Sequence, residues 1–434
     1  MISSVIDEQQ TDDGCSVKNA MTVTADAVDP VSSVGGQRWD DAVSRFVGCT
    51  PFHSSAWARV LASTYGHVPR YSLLRMGGEV AACIPVMEVS SNWTGRRGVS
   101  LPFSDLCGPL VKAFGVSKGG DLREAVTQRF VDLSAYHRWK YCEIRGGDIA
   151  MEGKVSASPS EGSTFVGHVL TLDEPYEATE SHFSGAARRG VRKAAAAGLR
   201  VSISSDSSSS PGPYIRRSHS AAVEAYYYLH QRTRRRHGLP PQSLTFFRRV
   251  IAEMTSKESG FVMLAETPSG DPVAGAVFFE FRGSAVFKFG ASLSDSWGGR
   301  PNNLVMAEAI RFLTERGVRT LHFGRTELAN QGLRRFKLGW GAKEIPLPYF
   351  RVHPSSKSPS SPIATDESVG VSSRSATHLR SQHSLQRWEI TAVREAGVSS
   401  DFGLTLRRLC KSCLQRFPLF AHRIAGRFMY PHLD

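Results

Sequence analysis

The hydrophobic pattern of this chain runs twice through the order helix, strand, strand, strand, helix, strand. That doubling limits the fold more than any single motif does. In the first half, QRWDDAVSRFV sets Trp39, Val43 and Phe46 at helical spacing. SSAWARVLASTYG sets Trp57, Val60, Leu61 and Tyr65 on one helix face, with Gly66 and Pro69 ending it. YSLLRM and EVAACIPVMEV read as strands around Gly77-Gly78, a hairpin signal, and GVSLPFSDLCGPLV as further extended chain. Leu122 to Tyr136 then reads as a helix and KYCEIRG as a strand. In the second half, PYIRRSHSAAVEAYYYLHQRTRRRH and LTFFRRVIAEMTS are helical, and FVMLAE is a strand. VAGAVFFEFRG and SAVFKFGASL form a hairpin about Gly283, NNLVMAEAIRFLTERG is a helix stopped by Gly317, and TLHFG closes as a strand.

Antiparallel hairpins followed by a helix-and-strand crossover build a mixed sheet with helices on its faces. The expected class is therefore α/β (mixed α+β), with two such units in tandem along 434 residues. The similarity is one of order; no residue-level repeat accompanies it. The expected divisions are a flexible tail over 1–36, a first unit over 37–160 and a second over 161–352 that carries the substrate site. A Ser/Pro-rich insertion over 353–384 and a helical segment over 385–434 complete the chain. Ser156 to Ser163 reads as the link between units, and Ser204 to Pro213 as a flexible loop.

Several function classes drop out early. No apolar run reaches the roughly 18–20 residues of a membrane span. The polar, acidic start has neither the cationic nor the apolar part of a secretory signal, so a cytoplasmic location is expected, with peripheral contact at the inner membrane face open. The seven cysteines are odd in number and sit in apolar stretches, which is reduced-thiol usage. Cys410 and Cys413 lack a second Cys/His pair at metal spacing, so no metal is expected. No GxSxG elbow occurs. The net charge of +13 is concentrated: Ser181 to Arg249 holds thirteen Lys/Arg against Asp206 and Glu224. Such a segment suits phosphate-bearing molecules, although a charge run by itself more often marks a solvated basic face.

Three segments carry the candidate chemistry. In AARRGVRKAAAAGL, spacings of three and four place Arg189, Arg192 and Lys193 on one helix side, where guanidinium forks suit phosphate oxygens; a plain surface helix would look the same. NNLVMAEAI opens a helix after the glycine-rich SWGGRP, so Asn302 and Asn303 are either N-cap residues or part of an anion site, with Arg300 adding charge. In FGRTELANQGLRRFKLGWGA, Arg325 leaves a strand end. A short helix over Gln331 to Leu338 then presents Arg335, Phe336 and Lys337, followed by Trp340. Cations mixed with aromatics fit a pocket for a bulky phosphorylated acceptor or an acyl ester donor; the alternative is a terminal helix with solvated charges.

Taken in order, the basic helix, PNNLVMAEAI, LHFGRT and GLRRFKLGWGA resemble the Fem-type, peptidoglycan-bridge aminoacyltransferases and their relatives in exopolysaccharide clusters. LPFSDLCGPLV and FPLFAHRIAGRFMYPHL look like the same group. The resemblance implies two tandem acyltransferase domains of the N-acetyltransferase (GNAT) type. It further implies transfer of an acyl or aminoacyl group to an amine or hydroxyl of a cell-envelope or polysaccharide-related acceptor, small or linked to a lipid or nucleotide. The implied donor is acyl-coenzyme A, or aminoacyl-tRNA as in the bridge enzymes. Lys337 matches the family's lysine in the FK segment and would orient a carboxyl or phosphate group or stabilise an oxyanion; Arg325 matches the arginine after the FG turn. His322 stands where relatives often carry an acidic residue, and no sustained heptad provides the bridge enzymes' coiled-coil arm. The general base is unassigned: Glu327 and Asp105 are candidates, and substrate-assisted proton transfer is the alternative. A rival without catalysis is a basic module that binds nucleic acid or a membrane surface.

Overall fold

The computed structural model describes residues 23–91, 94–113, 116–147, 157–159, 165–205, 213–255, 259–354 and 418–432. The first half contributes strands β1 (Val23–Val28), β2 (Val68–Pro69), β3 (Tyr71–Met76), β4 (Glu79–Ile84), β5 (Met87–Ser91), β6 (Gly95–Val99), β7 (Leu110–Val111) and β8 (Cys142–Arg145). Its helices are α1 (Ser33–Val43), α2 (Ser55–Tyr65) and α3 (Val116–Tyr136). The second half contributes β9 (Ala157–Pro159), β10 (Phe165–Thr171), β11 (Arg200–Ser204), β12 (Ile215–Arg217), β13 (Gly260–Glu266), β14 (Pro272–Phe281) and β15 (Ser284–Ser292). It continues with β16 (Thr320–His322), β17 (Thr326–Glu327), β18 (Lys343–Pro346) and β19 (Tyr349–Val352). The remaining helices are α4 (Tyr176–Ser181), α5 (Gly185–Ala196), α6 (His219–Arg236), α7 (Leu244–Thr255), α8 (Pro301–Glu315), α9 (Gln331–Leu338) and α10 (Leu419–Met429).

The doubled order is realised as mixed sheets. Hairpins β3–β4 and β14–β15 are antiparallel, whereas β6 pairs with β8 and β15 with β16 in parallel. In both of these parallel pairs the strands are separated in sequence by a long helix, α3 or α8, as a crossover requires; β11 and β12 also pair in parallel. A four-stranded sheet runs β1-β3-β4-β7 and a six-stranded one β2-β5-β6-β8-β19-β9. The nine-stranded sheet runs β12-β11-β13-β14-β15-β16-β10-β17, with β18 also on β10.

Three boundaries differ from the sequence expectation. β1 and the start of α1 fall inside the segment expected as a tail. Val23–Val28 pairs antiparallel with Tyr71–Met76 along its whole length, and Asp26 bridges Arg38 at 2.6 Å and Arg75 at 2.8 Å. A strand reading VTADAV has too little apolar alternation to announce itself; the free edge of β3 gives it a ladder. β9 lies inside the expected linker. β19, at the end of the second unit by sequence, crosses back to pair with β8 of the first.

The two halves also share a core. Phe52 and Trp57, almost without exposure, pack their rings on Phe279 at 6.2 and 5.5 Å, and Trp57 meets Phe246 at 6.3 Å. Arg59 pairs with Glu253 at 2.7 Å across the same α2–α7 contact. Burying each large aromatic side chain contributes roughly 2–3 kcal/mol. The insertion, apart from its first two residues, lies outside the described residues, as do Cys410 and Cys413 and most of the Ser204–Pro213 loop.

Candidate active site

Two cavities collect the chemistry. The first is a cleft of about 460 Å³ where the halves meet, walled by Phe103, Asp105 and Arg145 from the first half and by His230, Arg234, Lys288 and Arg325 from the second. Its geometry starts in the backbone. Leu101 and Phe103 adopt φ of 58° and 56°, a left-handed conformation costing non-glycine residues on the order of 1 kcal/mol or more each. Ser104 Oγ donates to the Leu101 carbonyl at 2.6 Å and closes this turn, which presents Asp105. On the opposite wall, Val277 faces Phe289 and Phe278 faces Phe287, so Lys288 is the extra residue of a β-bulge.

These devices bring three charges together. Lys288 Nζ donates to Asp105 Oδ2 at 3.1 Å, and Arg325 Nε stands 3.7 Å from Asp105 Oδ1. Arg325 lies over the Phe165 ring at 4.7 Å, and Tyr349 of β19 donates to the Asp105 carbonyl at 2.8 Å. Gly324, at φ 69°, is required here: a Cβ would stand 2.7 Å from Asp105 Oδ2. His230 Nε2 is 2.9 Å from Gln242 Oε1, and burial lowers its pKa to about 3, which keeps the ring neutral near pH 7.

Lys337 takes a different place from the one its motif suggests. Its side chain is buried, and Nζ donates to the carbonyls of Gly324 (3.0 Å) and Arg325 (3.2 Å) and to Thr326 Oγ1 (2.8 Å). An ammonium has three donors, and all three are engaged. Lys337 lines neither cavity; it holds the 324–326 turn from behind. Burial lowers its pKa to about 8.

The second cavity, about 350 Å³, lies between α5, the start of α8 and α9. Arg189, Lys193, Arg300 and Arg335 line it together with Asn303, Phe336 and Trp340, and no acidic residue does. Gly190 lets α5 approach α8, since a Cβ there would fall 2.7 Å from the Asn303 side chain. Arg300, at φ 54°, is the N-cap of α8 and makes no side-chain capping bond; Pro301 follows at the first helical position. Trp340 forms the floor, edge-on to Phe183 at 5.0 Å and Phe336 at 5.9 Å.

The segment Phe323 to Ala342, expected to line one pocket, thus serves two. Arg325 enters the cleft, Arg335, Phe336 and Trp340 line the cationic cavity, and Arg334 pairs outward with Glu344 at 2.7 Å. Arg189, Lys193 and Asn303 line the cationic cavity. Arg192 is exposed on α5 and lines neither, and Asn302 Nδ2 donates to Ser292 Oγ at 3.2 Å instead. Glu327 is exposed outside both cavities. Sequence reasoning missed Lys288, Arg145, His230 and Arg234. The only trace of Lys288 was a lysine interrupting the apolar run AVFKF. Among the described residues, no group of three His, Cys, Asp or Glu is placed to hold a metal ion, and Cys49, Cys83, Cys107 and Cys142 are buried free thiols.

Residues 181–350 match the model of an acetyltransferase (GNAT) domain. Among solved structures, the chain is similar to FemX at 13% identity and a TM-score of 0.57, over 73% of this chain and 95% of that one. It also aligns with a tandem GNAT protein from the clavulanic acid biosynthesis pathway at 10% identity and a TM-score of 0.46, over 78% of this chain and 100% of that one. L-PGS from Bacillus licheniformis aligns at 11% identity and a TM-score of 0.41, over 77% of this chain and 94% of that one. No curated protein matches the sequence. At 13% identity, the likeness to FemX speaks for the fold.

Proposed function

We propose that this chain, whose residues 181–350 match an acetyltransferase (GNAT) domain and whose fold is similar to that of FemX, transfers an acyl group from acyl-coenzyme A to an amine or hydroxyl of an anionic, sugar-bearing cell-envelope precursor. The observation that carries this reading is the cavity ringed by Arg189, Lys193, Arg300 and Arg335 without an acidic residue, beside a separate cleft where the halves meet. Four cations at the open start of a 15-residue helix fit the phosphates of coenzyme A, and Phe336 and Trp340 supply apolar wall. Coenzyme A supplies the acyl group as a thioester, already activated, so no enzyme nucleophile is required.

The chain's own residues then bind and orient. Arg145, Arg234, Arg325 and Lys288 favour a phosphate- or carboxylate-bearing acceptor in the cleft. Asp105, held by Lys288 and Arg325, is oriented to accept a hydrogen bond from the attacking amine or hydroxyl. Asp105 thereby directs the attacking atom. Lys337 is a positioning residue: it fixes the turn that carries Arg325.

A thermal-shift comparison tests the donor. A ligand at 100 times its Kd stabilises by about 2.7 kcal/mol. Acetyl-coenzyme A or a longer acyl-coenzyme A should raise the midpoint of the wild type and not of Arg189→Ala/Arg335→Ala. Stabilisation by a charged tRNA pool alone would overturn the donor assignment in favour of aminoacyl transfer, and no response to either thioester would remove it.

A further inference from the structure

Helix α10 turns its two phenylalanines and its isoleucine outward. Its fully buried residues are His422 and Gly426, flanked by the half-buried Leu419, Ala421, Ala425 and Met429, while Phe420, Ile424 and Phe428 are 66, 54 and 66% exposed. These three follow one another at intervals of four and form a single stripe along a helix about 16 Å long. Arg423 and Arg427, both exposed, border the stripe one residue before Ile424 and Phe428, and Leu419–Met429 contains no acidic residue. Gly426 shows that the docking is built: a Cβ there would fall 2.0 Å from the Pro241 carbonyl oxygen.

The helix is also anchored at the cleft. Tyr430, just past its end, accepts from Arg234 at 2.6 Å and donates to the Pro240 carbonyl at 3.0 Å. Its ring packs 5.8 Å from that of Phe103, and Arg97 donates to the His432 carbonyl at 3.2 Å. Phe103 and Arg234 both line the cleft. The stripe therefore belongs to a helix fastened to the cleft wall.

We propose that α10 lies in the interface of an anionic lipid bilayer, with Phe420, Ile424 and Phe428 inserted and Arg427 at headgroup level. An amphipathic helix with aromatic and aliphatic residues on one side and arginines beside them binds such a surface without needing a shaped partner. A second copy of the chain fits less well. The exposed parts of three side chains offer roughly 350 Å², under half of the ~800 Å² per partner of a standard interface, and pairing two such faces would bring arginine rows together. At 11 residues α10 is too short to cross a bilayer, so the contact is a surface one. The proposal stands on helix geometry and charge and does not depend on the acyl-transfer reading.

Co-sedimentation of the full chain with vesicles tests it. Vesicles of phosphatidylcholine with about one third phosphatidylglycerol should carry the wild type down, and pure phosphatidylcholine much less. Phe420→Ser/Ile424→Ser/Phe428→Ser should weaken binding by about tenfold or more with an unchanged thermal midpoint, and Arg427→Gln should lose only the anionic preference. Ile424→Glu, a single exposed change, serves if the triple variant does not fold. Equal binding by wild type and both apolar variants, or no vesicle binding by the wild type, overturns the proposal. So does a wild-type dimer in sedimentation velocity that becomes monomeric in the triple variant, which would make the stripe a contact between copies.

Discussion

Lys337 shows how a residue can be prominent in the sequence and still act through another. It stands in an FK motif of a cationic segment, yet its ammonium closes on two carbonyls and a hydroxyl inside the protein. Lys337→Met would leave those acceptors without a donor, and the expected cost is about 1–3 kcal/mol of stability in urea denaturation. If the residue positions Arg325 and does not touch the acyl donor, kcat should fall while the KM for the donor stays within about twofold. Lys288 is the reverse case, inconspicuous in sequence and central in the cleft. Lys288→Met removes the ammonium that bonds Asp105, and we expect kcat/KM to fall about tenfold or more with the thermal midpoint nearly constant. Its position was not legible because a bulge is a property of two strands in register, and register is set by pairing and not by the strand that carries the extra residue.

At the level of elements, the helix and strand order of both halves was readable because apolar residues recur at the periods the elements impose. What α5 does was readable only in part. Its spacing set Arg189, Arg192 and Lys193 on one side, but Arg192 turns away, because α5 rests on α8 through Gly190, and the direction of that contact decides which cations reach the cavity. Gly190→Val should force the helices apart, lowering stability by about 1–3 kcal/mol and abolishing stabilisation by acyl-coenzyme A. A variant that keeps its donor response would show that the close approach is not what assembles the cationic ring. β1 was missed for a related reason: a short polar strand gains its stability from an edge supplied elsewhere in the fold.

For the whole molecule, the two halves should behave as one cooperative body, since Phe52 and Trp57 pack into the second half and β19 returns to the first. Trp57→Ala is expected to cost about 3–5 kcal/mol and to raise hydrogen exchange in α7 as well as in α2. Separate transitions for the two halves would contradict this. The molecule should also be acid-sensitive. Burial lowers the pKa of His53 to about 4 and that of His230 to about 3, each from 6.5. Below pH 6.5 the unfolded chain takes up protons that these folded histidines refuse, so stability is full above that value and falls as pH drops toward 4, by on the order of a few kcal/mol in total. Denaturation at pH 7, 6 and 5 reads the slope, and a flat profile would rule out this origin.

The sequence by itself determined the mixed α/β class, the tandem order and the concentration of charge in the second half. Those features rest on periodicity, composition and local spacing, which act within a few residues of one another. The tertiary structure alone decided that the Phe323–Ala342 segment serves two cavities, that Asp105 of one half meets Lys288 and Arg325 of the other, and that α10 turns its large apolar residues outward. Each of these depends on which surfaces of distant segments come into contact, and local spacing carries no record of that.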